Sequence, residues 1–583
     1  MKNSKLMMVV MAMVLSLALV ATACGTTTTT TTAATTAATT AATTAATTAA
    51  PTTGGTTGAT TTAAPTTTGI KLAADQTVTW NMAQEPPQLN TALTTDTVSF
   101  DIIRHTYEGL TKRDQNDNVG PGMATKWDVS ADGLTYKFYL RDAKWSNGEA
   151  VTAADFAFGF KVLLNPETLP EPAQYAYFAY PIKGSRAFNE GTGSWEDVGI
   201  KVVDPKTLEI TLESPTGYFP DLLAFGVMMP INEKFYNEVG AENYGMEADK
   251  MIFNGAYTIT KWEHEVEIVL EKNPNYYGAN DIKLTKLTGT IIKDTQASFT
   301  AFLNGDLDIT GLADSNYVQQ AKEKGYTPMT FSDGATFYLE FNLERKELQN
   351  AKIRQAISMA LNRVDFIDKI MKNDSLPALA FTSPAIRGLA PGKSFQSEIG
   401  SLLKDNQSAE AKALYAEGLQ ELGVTEIKLG MIGDDTDRAI LMSQSIASYL
   451  KANLGIDLQV ESMPFKSRLD RMTKKDFDIV FAGWGPDYND PMTFLDMFET
   501  GNGNNHTSYS SAAYDELLAQ ARRTVEDKPR FEIYYQMEKL LMTDLPIAPV
   551  YWRMRDYTVQ NDIKGVVRSA FADVNFLYAY RAG

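Results

Sequence analysis

Residues 477–491 read FDIVFAGWGPDYNDP: an apolar run is cut off by Gly-Trp-Gly-Pro and followed at once by an acid, Asp487. A short apolar stretch bounded by Gly and Pro is the pattern of a strand buried on both faces. Upstream the same pattern recurs between helical segments. A helix ends at Gly423 and EIKLGMI (426–432) follows; a second helix ends at Gly455 and IDLQVES (456–462) follows; a short helix covers Lys466 to Met472. Glycine just past a helix end is the usual left-handed cap. Alternation of this kind over residues 409–484 predicts a parallel sheet with helical crossovers, hence an α/β fold. In open sheets of that type ligands sit beyond the carboxyl ends of the strands, which is where Gly483 to Asp487 fall.

The chain around this stretch has 583 residues, 44% of them hydrophobic, which predicts a large core divided over at least two lobes. Its formal net charge is −18 and no basic block is longer than a pair such as Lys474-Lys475, a balance that disfavours nucleic acid and anionic lipid as partners of the body. A single cysteine, Cys24, excludes an intrachain disulfide, a Cys-rich zinc site and a thiol pair.

Cys24 has a different context. Lys2 and Lys5 precede the apolar run Leu6 to Val20, and Ala21-Thr22-Ala23 lead into the cysteine. This is the layout of an export signal over residues 1–23, too short for a bilayer span of ~20 residues. ATAC (21–24) resembles a bacterial lipobox, although Ala21 stands where Leu or Val is usual. The resemblance implies a lipidated Cys24 as the mature N-terminus, and two or more acyl chains would anchor it stably. Residues 26–68 contain only Thr, Ala, Gly and Pro, including TTAATTAATTAATTAATTAA (31–50). Such a segment cannot build a core and reads as a tether with a reach of roughly 35 Å.

From about Asp75 the composition becomes globular. LTYKFYL (134–140) alternates apolar positions as a strand does, Asn147-Gly148 marks a turn, and Thr152 caps a helix carrying Phe156 and Phe160. NGAYTITKWEHEVEIVLEKNP, from Asn254, reads as a hairpin. AKIRQAISMALNRVDFIDKI (351–370) sets Ile353, Ile357, Leu361 and Val364 at helical spacing, the pattern of a helix lying on a sheet.

Several chemistries lack material. The histidines are His105, His264 and His506, far apart in the sequence. HEVEI (264–268) has Ile268 where a zinc-protease helix needs its second histidine. RGLAPGKS (387–394) separates Gly388 and Gly392 by one residue too few for a phosphate loop. No GxSxG elbow occurs, so the residues offer no specific sign of an enzyme, cofactor or metal.

In chain order, residues 122–156 (GMATKWDVSADGLTYKFYLRDAKWSNGEAVTAADF), NGAYTITKW (254–262), LEKNPNYYG (270–278), LNGDLDI (303–309), IRQAISMALNR (353–363) and AGWGPDYNDP (482–491) together resemble the family 5 extracellular solute-binding proteins of ABC importers, oligopeptide binders above all. The resemblance spans about Gln76 to the C-terminus. It implies a two-lobed fold of periplasmic-binding-protein type with a hinge between the lobes. Lobe I would be 75–335 with an inserted subdomain at about 106–199, lobe II 336–552, and 553–583 would return to lobe I. The hinge strands would lie near TFYLEFN (336–342) and PVYWRMRDYTV (549–559).

The same resemblance implies roles for particular residues. Asp487 would accept the α-ammonium of a bound peptide, Gly483 and Gly485 would expose backbone for strand-like pairing, and Trp484 would wall the first pocket. Glu85, in QEPPQLN (84–90), would stand at the cleft on lobe I. Phe481 occupies a position where some tripeptide binders carry an arginine. The implied partners are an oligopeptide and an ABC permease with its ATPase, served by a monomeric receptor lipid-anchored on the outer face of the bacterial cell membrane. The alternatives are an oligosaccharide, nickel chelate or haem on the same scaffold, a surface hydrolase, or a stalked adhesion protein.

Overall fold

A computed structural model describes residues 71–168 and 171–583; the expected export signal, Cys24 and the Thr/Ala-rich stretch lie outside them. The core is a mixed 11-stranded sheet. Its principal strands, numbered in chain order, are β1 (Thr77–Asn81), β2 (Tyr257–Glu263), β3 (Glu267–Lys272), β4 (Lys286–Thr290), β5 (Ile309–Leu312), β6 (Met329–Phe341), β7 (Gly430–Asp434), β8 (Gln459–Met463), β9 (Ile479–Trp484) and β10 (Ile547–Val559). Across the sheet they run β8-β7-β9-β6-β10-β5-β1-β4-β3-β2, with Leu376–Pro377 paired to β10.

The two 13-residue strands β6 and β10 make this sheet a two-lobed structure. Antiparallel to each other, they divide their remaining partners. Leu312 to Ile309 of β5 pair with Asp556 to Val559 of β10, whereas β9 pairs with Thr336 to Phe341 of β6. The β6–β10 register shifts between Ser332 and Thr336, where Gly334 adopts φ 72°. That left-handed conformation is open to glycine at little cost, and it bends the strand where one lobe gives way to the other.

In the second lobe β7 pairs in parallel with β8 and β9, as the alternating pattern predicts. The preceding helices end on Gly423 (φ 72°) and Gly455 (φ 76°). The strands begin later than their apolar runs: residues 426–429 bury Ile427 and Leu429 ahead of the first ladder bond at Gly430. The helix expected to carry Val364 stops at Ala360, because Asn362 accepts a hydrogen bond from the Asp365 amide and caps a new short helix. Val364 is therefore exposed, while Ile353, Ile357 and Leu361 are buried.

The first lobe holds the predicted hairpin, β2 with β3. It also carries a separate four-stranded antiparallel sheet built from residues 124–129, 135–140, 200–204 and 207–211. The inserted segment expected at about 106–199 contains two of these strands, and 200–211 completes the sheet. Phe138 is fully buried on it, and the helix Ala153–Leu164 buries Phe156 and Phe160. Each such ring contributes about 1.5–3 kcal/mol. Thr152 and Asp155 form a capping box at that helix's start, worth about 1 kcal/mol.

Candidate functional site

A cavity of about 460 Å³ lies between the lobes, within the ordinary range for ligand sites. Residues 481–487 form one wall, and Asp96, Tyr175 and Phe225 contribute to another. Its position follows from the sheet. β7 pairs with β9 at Ile479 and Val480, so residues 481–484 have a strand partner only on the β6 side. Their other backbone edge borders the cavity. Gly483 presents its backbone there, and a Cβ at this position would come within 2.8 Å of the Phe337 ring. Gly485 is half-buried, its nearest side-chain neighbour Thr97.

Trp484 is 9% exposed and stacks on Tyr175 of the first lobe, centroids 6.0 Å and planes 18° apart. Its indole Nε1 donates to the Thr493 carbonyl oxygen at 2.8 Å. Thr493 Oγ1 in turn accepts from the Asp487 amide at 2.9 Å, so one residue fixes both the ring and the acid.

Asp487 is 9% exposed. The Tyr175 hydroxyl lies 3.4 and 3.5 Å from its carboxylate oxygens, and Thr493 Oγ1 lies 3.5 Å away. These are long, weak hydrogen bonds. Among the described residues no cationic side chain forms an ion pair with it. Burial pushes the Asp487 carboxyl well above the usual carboxylate range, and buried Asp496 adds to the rise, against the Tyr175 and Thr493 hydroxyls. Asp496 itself is pushed up to about 7 by burial, opposed by Arg522. The environment is poised to accept a cation, since an unpaired buried charge is costly.

The other acids bordering this wall are already engaged. Asp96 caps the helix Thr97–Thr106 by accepting from the Ser99 amide at 2.8 Å; burial pushes it up to about 6, against those hydrogen bonds. Asp434 pairs with Arg468 at 2.6 Å. Neither Asp96 nor the Tyr175 wall was signalled by the sequence pattern, because both reach the cavity through long-range packing.

Glu85 occupies a different setting from the one expected. Its carboxylate accepts from Trp262 Nε1 at 3.0 Å and the Glu265 amide at 2.5 Å, and it contacts His264 Nδ1. It thereby locks its loop to the β2–β3 hairpin, while its neighbours Asn81 to Gln84 border the cavity. The RGLAPGKS loop is filled from within, for Glu398 accepts from the Leu389 and Ala390 amides at 2.8 and 2.7 Å.

Two lobes joined by a pair of bent strands, with a ligand-sized cavity between them, define a two-lobed binding protein. Residues 118–506 match the family described as "Bacterial extracellular solute-binding proteins, family 5 Middle", and the chain belongs to it. It is 34% identical to the oligopeptide-binding protein OppA of Bacillus subtilis, over 86% of this chain and 92% of that protein. Listeria monocytogenes OppA bound to peptide superposes with a TM-score of 0.82 at 32% identity, covering 87% of this chain and 99% of that one. A murein tripeptide binding protein, MppA of Escherichia coli, provides a conformational comparison. One structure matches with a TM-score of 0.81, at 28% identity over 88% and 99% of the two chains. The unliganded open form of MppA matches at only 0.59, at 29% identity over 88% and 99%. The lobes described here are therefore arranged differently from that open form.

Proposed function

We propose that this chain captures oligopeptides outside the cytoplasm, by their backbone and α-amine, and delivers them to an ABC importer. The observation that carries this reading is Asp487: a buried carboxylate without an ion-pair partner among the described residues, placed just beyond a strand edge that borders the cavity. An α-ammonium supplies the missing charge, and a charge-assisted bond of this kind gains strength where water is excluded. The backbone edge at 481–484 offers main-chain pairing that is indifferent to side chains. Such a site works by stoichiometric capture and release through lobe motion, with no covalent step. Cys24 is the proposed lipid anchor, residues 26–68 its tether, and a permease with its ATPase the acceptor of the ligand from a monomeric receptor.

The test is a tryptophan-fluorescence titration of the full chain with a random-sequence peptide library, free and N-acetylated, repeated with Asp487→Ala. Saturable binding that acetylation weakens by at least ~10-fold, about 1.4 kcal/mol, and that Asp487→Ala abolishes, is the expected result. Equal binding of the free and acetylated libraries would remove the amine site.

A further inference from the structure

At the bend between the lobes the same cavity is bordered by a cluster of guanidinium groups. Arg553 and Arg555, two residues apart on β10 and hence on one face of it, both border the cavity. They flank Asp333, which sits in the β6 bend beside Gly334. Arg553 Nη2 and Nε lie 2.5 and 2.6 Å from Asp333 Oδ2, and Arg555 Nη1 lies 3.8 Å from it. Arg555 Nη1 also donates to Asp573, whose other oxygen is 3.5 Å from Arg568 Nη1. Arg104 borders the cavity too, with Asp101 at 3.8 Å. Burial, with Asp573 nearby, pushes the Asp101 carboxyl up, against Arg104 and Arg568. Asp556, the remaining acid there, is turned to the Thr330 hydroxyl. Asp101, Asp333 and Asp573 thus stand among Arg104, Arg553, Arg555 and Arg568.

The two β10 arginines keep donors unspent. Among the described residues Arg553 Nη1 and Arg555 Nε and Nη2 have no hydrogen-bond acceptor, and the side chains remain 27% and 32% exposed. Arg553 is held in place by Phe337, its guanidinium carbon 4.7 Å from the ring centroid. This arrangement is rigid, cationic and only partly neutralised, which suits a planar oxyanion able to take two parallel N–H donors. The bend also abuts the acid-bearing loop, since a Cβ on Gly334 would lie 2.6 Å from the Pro486 ring. Anion and cation receptors therefore belong to one cavity.

We propose that Arg553 and Arg555 receive a carboxylate of the ligand, so that the cavity selects peptides carrying a free anionic group as well as a free amine. The proposal rests on the peptide reading of the site. The carboxylate has two sources, the chain end and an acidic side chain, with the same chemistry.

The experiment is a competition. The full chain is incubated with equimolar random-sequence peptides in free, C-amidated and N-acetylated forms, and the captured species are eluted and counted by mass spectrometry. Enrichment of free over C-amidated peptides by ~10-fold assigns the chain-end carboxylate. No effect of amidation, with Asp- and Glu-bearing peptides enriched over their Asn and Gln counterparts, assigns the side chain. In either case Arg555→Gln and Arg553→Gln abolish the preference while C-amidated peptides are still captured, which reports a folded protein; Arg553→Lys serves if the Gln variant fails to fold. Indifference to both carboxylates, with N-acetylation still harmful, overturns this inference and leaves the amine site standing. Capture of no peptide form overturns both.

Discussion

Tyr175 and Trp484 stack across the cavity from opposite lobes, ring planes 18° apart, while the Tyr175 hydroxyl reaches the Asp487 carboxylate at 3.4 Å. One first-lobe side chain thus covers both the ring and the acid of the other lobe. Opening must break this stack, which makes Trp484 the natural reporter of lobe motion among the chain's 7 tryptophans. Trp484→Phe is expected to lose most of the ligand-dependent fluorescence change while retaining binding seen by calorimetry. An unchanged optical signal would place the moving tryptophan elsewhere.

Asp487→Asn is predicted to separate stability from function. With its folded pKa raised above the unfolded value, Asp487 binds more protons folded than unfolded, so its contribution to stability falls as pH rises from about 3.9 toward the folded pKa. At pH 7 the variant should melt higher than the parent in the absence of ligand. Affinity for free-amine peptides should fall by a factor of about 30 or more, the scale of losing one partner of a buried charge pair, ~2 kcal/mol upward. Differential scanning fluorimetry and calorimetry read the two effects, and a lower melting temperature would count against the unpaired-acid description.

Binding should depend on pH in the same sense. An incoming ammonium favours ionised Asp487, so binding releases a proton wherever the empty site is protonated. Affinity is expected to rise with pH through a range above that of an ordinary aspartate, then fall once the ligand amine, near about 8, loses its proton. Calorimetry in buffers of different ionisation enthalpy counts the released proton directly. A flat profile in the parent and in Asp487→Asn would contradict the assignment.

Side chains that bridge the lobes should set ligand residence. Lys293 Nζ is 3.1 Å from Asp435, Thr295 Oγ1 is 3.0 Å from Asp437, and Gln174 Nε2 is 2.9 Å from Thr473 Oγ1. Lys293 and Asp435 are about one-third exposed, so their pair is worth ~0–1 kcal/mol. Lys293→Ala should speed ligand dissociation up to about 5-fold and reduce its salt dependence, measured by stopped-flow displacement.

Gly483→Ala should harm both stability and binding. The added methyl would press on Phe337, which already carries the Arg553 guanidinium on its face. Overpacking of this kind costs about 1–3 kcal/mol. A chemical-denaturation midpoint equal to that of the parent would show that the ring yields freely.

The parts of this molecule legible in sequence are those with local grammar. Gly423 and Gly455 end helices in left-handed turns, Thr152 pairs with Asp155 in a capping box, and the run into Trp484 is a buried strand, because in each case neighbours along the chain determine the conformation. Helical spacing misplaces Val364, since it continues past Asn362, whose side chain starts a new helix. Glu85 illustrates a different limit, for its hydrogen bonds go to Trp262, His264 and Glu265, far along the chain. Asp333 and Arg553 are brought together by strand pairing between distant segments, and no periodicity encodes it.

The path of the backbone also dictates an order of events during synthesis. β5 borders the C-terminal half of β10, and the Gln76 side-chain amide donates to the carbonyl of Arg581 at 2.7 Å, across 505 positions. The first lobe begun on the ribosome is thus the last to be completed, since its closing residues emerge only after the whole second lobe. Contacts of such sequence separation impose a heavy loop-closure entropy and slow the final step. A chain truncated before β10 would carry an exposed β5 edge, a template for misassembly.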